Sequence, residues 1–341
     1  TSITIPNGVN EVSYCTFYGC RSLTSVSIPD SVTGIYGGAF SECESLTSIA
    51  LPNSVTVLEG SAFYGCSNLT SINIPNGVTS IGWSAFSGCT SLSNITLPSS
   101  VKSIGYYAFM NCTSLKSIKI PDNVTSIGWW AFSNCRSLTS VTIPERLNDI
   151  GAWTFSGCSS LTEFKVSAKN SNYVSVNGVL YNKDKTVIIH YPAKKKDKSY
   201  KIPDGVTEIG SIAFSRCSSL TSVTIPDGVT SIEDWTFCEC TSLKNVKIPD
   251  NVKSIGKYAF CECTSLKNIT LPSKLQSIGN YAFARCTDLI GIIIPDSVKS
   301  IGDGAIRDCT KIKSITIPDS ASYIGYQALG YYHDFDGYKI D

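Results

Sequence analysis

Cysteine returns at one fixed interval in this chain: Cys20, Cys43, Cys66, Cys89, Cys112, Cys135 and Cys158, then Cys217, Cys240, Cys263, Cys286 and Cys309. The residues around each one return with it, as in Leu115-x-x-Ile118-x-Ile120-Pro121-x-x-Val124-x-x-Ile127-Gly128-x-x-Ala131-Phe132-x-x-Cys135. A fixed period of this size means that each repeat is one coil, unable to bury its own apolar face, stacked on the last. The repeat predicts one continuous rod of ~14 coils, ~65 Å long at the usual spacing of neighbouring strands. It also moves the functional expectation from catalysis toward binding along an extended face.

Counting each coil from its leucine, the apolar residues at positions 1, 4 and 6 point inward with the alternation of a strand. Proline at position 7 (Pro29, Pro52, Pro75, Pro98) has no N–H to donate and ends that strand. Asp or Asn next to it suits a turn. Val and Ile at positions 10 and 13 return to the core in a second short extended segment. Glycine at position 14 (Gly82, Gly105, Gly128, Gly151) allows a backbone bend. Ala-Phe at 17 and 18 with Cys at 21 predict a short helical or 3₁₀ turn. Because every coil runs the same way, the strands are expected to form a parallel sheet on one face.

This phrase resembles the BspA-like, treponemal class of leucine-rich repeat, and the resemblance covers almost the whole chain. It implies a leucine-rich repeat solenoid, noncatalytic, on a cell surface or secreted, with a binding role and no particular ligand. The expected organisation is repeats over 1–161, an irregular repeat with a Lys-rich β-hairpin insert over 162–202, repeats again over 203–330, and an irregular final coil over 331–341. The insert is marked by a break in the cysteine interval, since the gap from Cys158 to Cys217 exceeds two full periods. Its Val174-Ser-Val176, Val179-Leu-Tyr181 and Thr186–His190 read as three strands, with Asn177-Gly178 as a strong hairpin turn. The stretch resembles a module found inside BspA-like arrays. The chain opens within a repeat strand, Thr1–Pro6, as a mature fragment or a piece of something longer does. The resemblance of its tail to a final coil implies that the true C-terminus lies beyond Asp341.

A net charge of +1 with 16% charged residues offers no global electrostatic case for nucleic acid or an acidic membrane. No run of 18 apolar residues suggests membrane insertion. Positive charge gathers in the insert, where nine lysines face three acids over residues 161–202, including Lys183, Lys185, Lys194, Lys195, Lys196 and Lys198. The cluster is either a docking point for an acidic polysaccharide or protein, or a solvated hairpin tip.

Positions 15 and 16 vary most usefully. All five tryptophans lie there: Trp83 and Trp129 at 15, Trp130, Trp153 and Trp235 at 16. Tyr106 and Tyr326 join the first row, and Tyr107, Tyr258 and Tyr281 the second. Stacking superimposes equal positions, so these rings form a ladder. They either stack on one another and shield the solenoid edge, or present a face to sugars or to a protein partner. Position 5, by contrast, is an even row of small polar residues such as Ser27, Asn73 and Thr96.

The cysteine ladder reads as a core column of small hydrophobes, though stacked coils also suit disulfides along it. Cys238 and Cys261 are extra, each two positions before a ladder cysteine. They fit a surface disulfide, two free thiols, or a metal site with Cys240 and Cys263. Cys15 occupies a ladder position of the aromatic rows. No catalytic motif appears, His190 and His333 stand far from any nucleophile signature, and no cofactor is indicated. The expected partner is a host or neighbouring-cell protein. The alternatives are a polysaccharide held by the aromatic flank, or a structural spacer that displays another domain.

Overall fold

The computed structural model describes residues 1–313 and 315–330. The expected final coil, 331–341, lies outside the described residues. The chain divides into two compact units, Thr1–Val179 and Leu180 onward. The division falls inside the irregular segment 162–202.

Each regular coil contributes two short strands, and each pairs in parallel with its equivalents in the neighbouring coils. In the first unit Ser71–Asn73 pairs with Ser48–Ala50 on one side and Asn94–Thr96 on the other, with Ile72 opposite Ile49 and Ile95. The second strand is very short, Ser80–Ile81, Ser103–Ile104, Ser126–Ile127 and Asp149–Ile150 in succession. In the second unit the same two ladders recur, for example Ser222–Thr224 with Asn245–Lys247, and Ser231–Ile232 with Ser254–Ile255. The repeat holds an odd number of residues, but register is kept because a proline turn ends the longer strand in each coil and the short strand begins anew after it. The exposed–buried–exposed pattern of the longer strands follows from the pleat.

Positions 15–20 are not helical. Position 16 is left-handed in coil after coil, at Tyr107 (φ 58°), Trp130 (φ 56°) and Trp153 (φ 64°), and so is position 20, at Asn111 (φ 61°) and Asn134 (φ 58°). A helix needs right-handed φ throughout, so these residues break it after every turn. The N–H groups instead alternate. Ala131, Ser133 and Cys135 donate within their own coil to the carbonyls of Gly128, Trp130 and Phe132. Trp130, Phe132 and Asn134 donate to Ala152, Thr154 and Ser156 of the next coil. The segment is thus a train of tight turns laced to its neighbour.

The core is a set of columns. Phe17, Phe40, Phe63, Phe86, Phe109, Phe132 and Phe155 stack with ring centroids 5.2–5.8 Å apart. In the second unit Tyr191 replaces the first ring of a like column, 5.0 Å from Phe214. All fifteen cysteines are free thiols. Those of the ladder do more than fill space. Cys66, Cys89, Cys112 and Cys135 donate at 3.0–3.2 Å to the carbonyls of Phe40, Phe63, Phe86 and Phe109 respectively, each in the preceding coil. Glycine at position 14 is not needed for a left-handed backbone, since none of Gly82, Gly105 or Gly128 has positive φ. A Cβ there would lie 2.5–2.7 Å from the backbone of the preceding coil, so the glycine permits close stacking.

The insert is built into the core. Asn177 and Gly178 are both left-handed, as the Asn-Gly turn requires. In the second unit Leu180 and Tyr181 pair antiparallel with His190 and Ile188. Val187–His190 then joins the short-strand ladder beside Glu208–Ile209. Asn182 closes the intervening turn by accepting from the N–H groups of Thr186 and Val187 at 2.9 Å. Among the described residues no helix is long and apolar enough to cross a membrane.

Candidate functional site: the aromatic flank

The two aromatic rows play different parts. Rings at position 16 stack on one another. In the first unit Tyr107 lies 5.3 Å from Trp130 with planes 5° apart, and Trp130 lies 6.2 Å from Trp153. In the second unit Trp235, Tyr258 and Tyr281 form a similar column at 4.1 and 4.9 Å. A bulky residue in the left-handed region costs roughly 1–2 kcal/mol. It persists here because the backbone of both neighbouring coils fixes the turn and the ring contacts offset the strain.

Rings at position 15 project. Trp83, Tyr106 and Trp129 stand on three successive coils and are 60%, 56% and 51% exposed. Trp129 also leans on Trp130 at 5.9 Å, so this outer ring rests on the inner column, whereas Trp83, followed by Ser84, lies over Gly60. Of the nine rings read from the sequence as a binding face, these three are presented, Tyr107 is exposed at its edge of the stack (37%), and the other five are partly buried in the columns. The exposure of position 15 was not legible in the repeat.

Where position 15 is glycine, the flank is notched. Gly37, Gly38, Gly60 and Ser61 floor a cavity of about 460 Å³ in the first unit. Tyr14, Tyr18, Tyr64 and Trp83 wall it, and Glu59 is its one charged lining side chain. A Cβ on Gly60 would fall 2.2 Å from the Trp83 ring, and one on Gly37 would fall 3.1 Å from Tyr14, so both rings settle onto bare backbone. The Tyr14 hydroxyl donates to Glu59 (3.3 Å), whose other oxygen accepts from the Gly37 N–H (3.2 Å). The Tyr18 hydroxyl donates to Glu42 (3.2 Å). Each hydrogen bond to a carboxylate pushes the phenol pKa above its ordinary value. Sequence reasoning missed this notch. Its signal was the pair of coils with glycine in the ring row, set between tyrosines at positions 15 and 19.

A second groove, of about 350 Å³, runs beside the second unit's ring column. Its floor is Cys238, Cys261 and Ala284, against which Trp235, Tyr258 and Tyr281 pack. Its far side carries Glu239, Glu262, Arg285, Arg307 and Asp308; Glu262 pairs with Arg285, and Glu239 with Arg216 outside the groove, both at 2.9 Å. Cys238 and Cys261 are 2% and 7% exposed, so this pair is not at the surface; it is a buried pair of free thiols. A hydrogen bond to Cys261 and burial push the Cys238 thiol up. Cys15 is the exposed cysteine.

The lysines do not share one tip. Lys183 and Lys185 lie at the turn before Val187, while Lys194, Lys195, Lys196 and Lys198 follow the strand that ends at His190. Lys195 is largely covered and pairs with Asp197 at 3.2 Å; Asp197 also accepts from the Tyr191 hydroxyl at 2.8 Å. The run therefore mixes an anchoring lysine with three exposed ones.

A model of the BspA type leucine rich repeat region, six copies long, matches residues 1–102, 84–195 and 191–302. The chain is 30% identical to a leucine rich cell surface protein of Faecalibacterium prausnitzii, over 95% of this chain and 87% of that one, with a TM-score of 0.72. It is likewise 30% identical to a leucine-rich repeat protein of Bacteroides ovatus, over 96% and 84%, with a TM-score of 0.64. The pneumococcal vaccine antigen PcpA shares the fold at 23% identity, over 96% and 85%, with a TM-score of 0.70. No curated protein matches.

Proposed function

The chain belongs to the BspA-type leucine-rich repeat family, and from that premise we propose that it is a noncatalytic recognition protein, displayed on a cell surface or secreted, that grips a protein of a host or neighbouring cell through the aromatic flank of its first unit. The observation that carries this reading is the outer row Trp83, Tyr106 and Trp129, three large exposed rings on successive coils. Such rings supply contact area at low entropic cost, because they are stiff and their supporting coils are fixed. Scattered exposed aromatics need no explanation, but a contiguous row of three, with Trp129 backed by the stacked ring of Trp130, is the form a hot spot takes. The likeness to a leucine rich cell surface protein supports the location.

The reading is tested with a variant carrying Trp83→Ala, Tyr106→Ala and Trp129→Ala. Immobilised fibronectin, laminin and collagen serve as protein probes, and xylan and mucin as glycan probes. Binding of the parent chain to a protein probe, weakened at least 30-fold in a variant with unchanged circular dichroism, is the expected result. Undiminished binding by the folded variant refutes the flank as the site. Binding confined to a glycan, and lost in the same variant, transfers the site to a polysaccharide.

A further inference from the structure

We infer that the glycine-floored notch of the first unit is a binding site for an organic cation: an alkylammonium or guanidinium head on an aliphatic stem. Four electron-rich rings, Tyr14, Tyr18, Tyr64 and Trp83, line one cavity, and the charged side chain that lines it is the carboxylate of Glu59. The faces of such rings attract a cation through their quadrupole, most strongly where water is partly excluded. Two of the tyrosines donate their hydroxyl protons to carboxylates, which leaves their rings richer in electron density and fixes them in place.

The charge around the notch agrees. Residues 1–84 carry Glu11, Asp30, Glu42, Glu44 and Glu59 against a single cationic side chain, Arg21, and contain no lysine. Arg21 is paired with both Glu42 (3.3 Å) and Glu44 (3.2 Å) and does not line the notch. An anionic ligand would meet carboxylates without a counter-charge. A neutral sugar could use the rings but would leave this field unused. The cavity is also large enough for a stem as well as a head, so the ligand is a free amine or a Lys or Arg side chain of a partner. This inference does not depend on the outer row being a protein site.

The test uses the full chain and ligand-observed NMR with n-butylammonium, its uncharged analogue butan-1-ol, a capped Gly-Lys-Gly peptide and cellobiose. Butylammonium is expected to bind about 2- to 30-fold more tightly than butan-1-ol, the range that one cation–ring site supplies. The peptide arm separates a side-chain ligand from a free amine: binding equal to butylammonium assigns a partner's lysine, and weaker binding assigns a free amine. Glu59→Gln should reduce the preference for charge. Ser61→Trp places a ring at position 16, where Trp130 and Trp153 already sit in other coils, so it fills the notch without foreign backbone demands and should abolish binding. Equal binding of butylammonium and butan-1-ol, tighter binding of cellobiose, or full binding by folded Ser61→Trp each overturns the assignment. Trp83 belongs to both surfaces, so the outer row is separated from the notch through Tyr106→Ala and Trp129→Ala with Trp83 kept; the notch variants leave Tyr106 and Trp129 untouched.

Discussion

The cysteine ladder makes this protein sensitive to alkali, and the size of the effect can be worked out. In the first unit burial pushes Cys43 up to about 11, Cys66 and Cys158 to about 12, and Cys89, Cys112 and Cys135 well above the ordinary thiol value. Burial dominates: each thiol donates to a carbonyl that a thiolate would repel, while a backbone hydrogen bond from the preceding ladder cysteine works the other way and is the smaller effect. In the unfolded chain these thiols ionise near pH ~8.5. The folded state therefore holds its protons where the unfolded state releases them, so stability is complete below ~8.5 and falls as pH rises toward the folded values. At pH 9.5 the loss is about 1.4 kcal/mol per thiol, on the order of 8 kcal/mol for six. That rivals the entire stability of an ordinary domain, about 5–15 kcal/mol.

The assay is urea unfolding in the presence of a reductant at pH 7.5, 8.5 and 9.5, followed by tryptophan emission. Trp83, Trp129, Trp130 and Trp153 report from the first unit. Each thiol is half ionised in the unfolded chain at pH 8.5, so six already cost about 2 kcal/mol there. The midpoint should fall by roughly 1 M from pH 7.5 to 8.5, then collapse by 9.5. Cys112→Ala should flatten the pH dependence by about 1.4 kcal/mol at pH 9.5. A midpoint unchanged from pH 7.5 to 9.5 refutes the argument, since it would mean that the thiols ionise as easily folded as unfolded.

Three further outcomes are expected. At the left-handed Trp130, substitution by glycine should leave a chain about 1 kcal/mol more stable than substitution by alanine, the reverse of the usual order, because both lose the ring stack but only alanine keeps the strain; urea midpoints decide it. Brief treatment of the native chain with iodoacetamide should label Cys15 well before Cys238, Cys261 or the buried ladder thiols, as peptide mass mapping will show; early labelling of Cys112 would contradict its burial. Burial lowers His190 to about 4, so it folds neutral, and stability should fall as pH drops below ~6.5 toward 4, by about 2 kcal/mol at pH 5 from this residue; His190→Leu should remove that part of the acid sensitivity measured by thermal unfolding.

The repeat by itself determined the architecture. Apolar residues at fixed offsets, a proline after each strand and a constant period leave little choice but parallel strands in register, since any slip would turn the apolar set outward. The insert was legible for a similar reason: Asn177-Gly178 names its turn. Local pattern does not report which way the backbone turns between apolar anchors. Left-handed residues at positions 16 and 20 exist because alternate N–H groups bond to the next coil, a fact about neighbours a whole repeat away in the chain. That backbone decision separates Trp129 from Trp130, adjacent in sequence, into a presented ring and a stacked one. It also converts the missing rings of Gly37, Gly38 and Gly60 into a cavity, and seats Cys238 and Cys261 on a buried groove floor where the sequence allowed a surface pair. The periodicity carried the coil; only the stacking of coils decided what each coil shows to solvent.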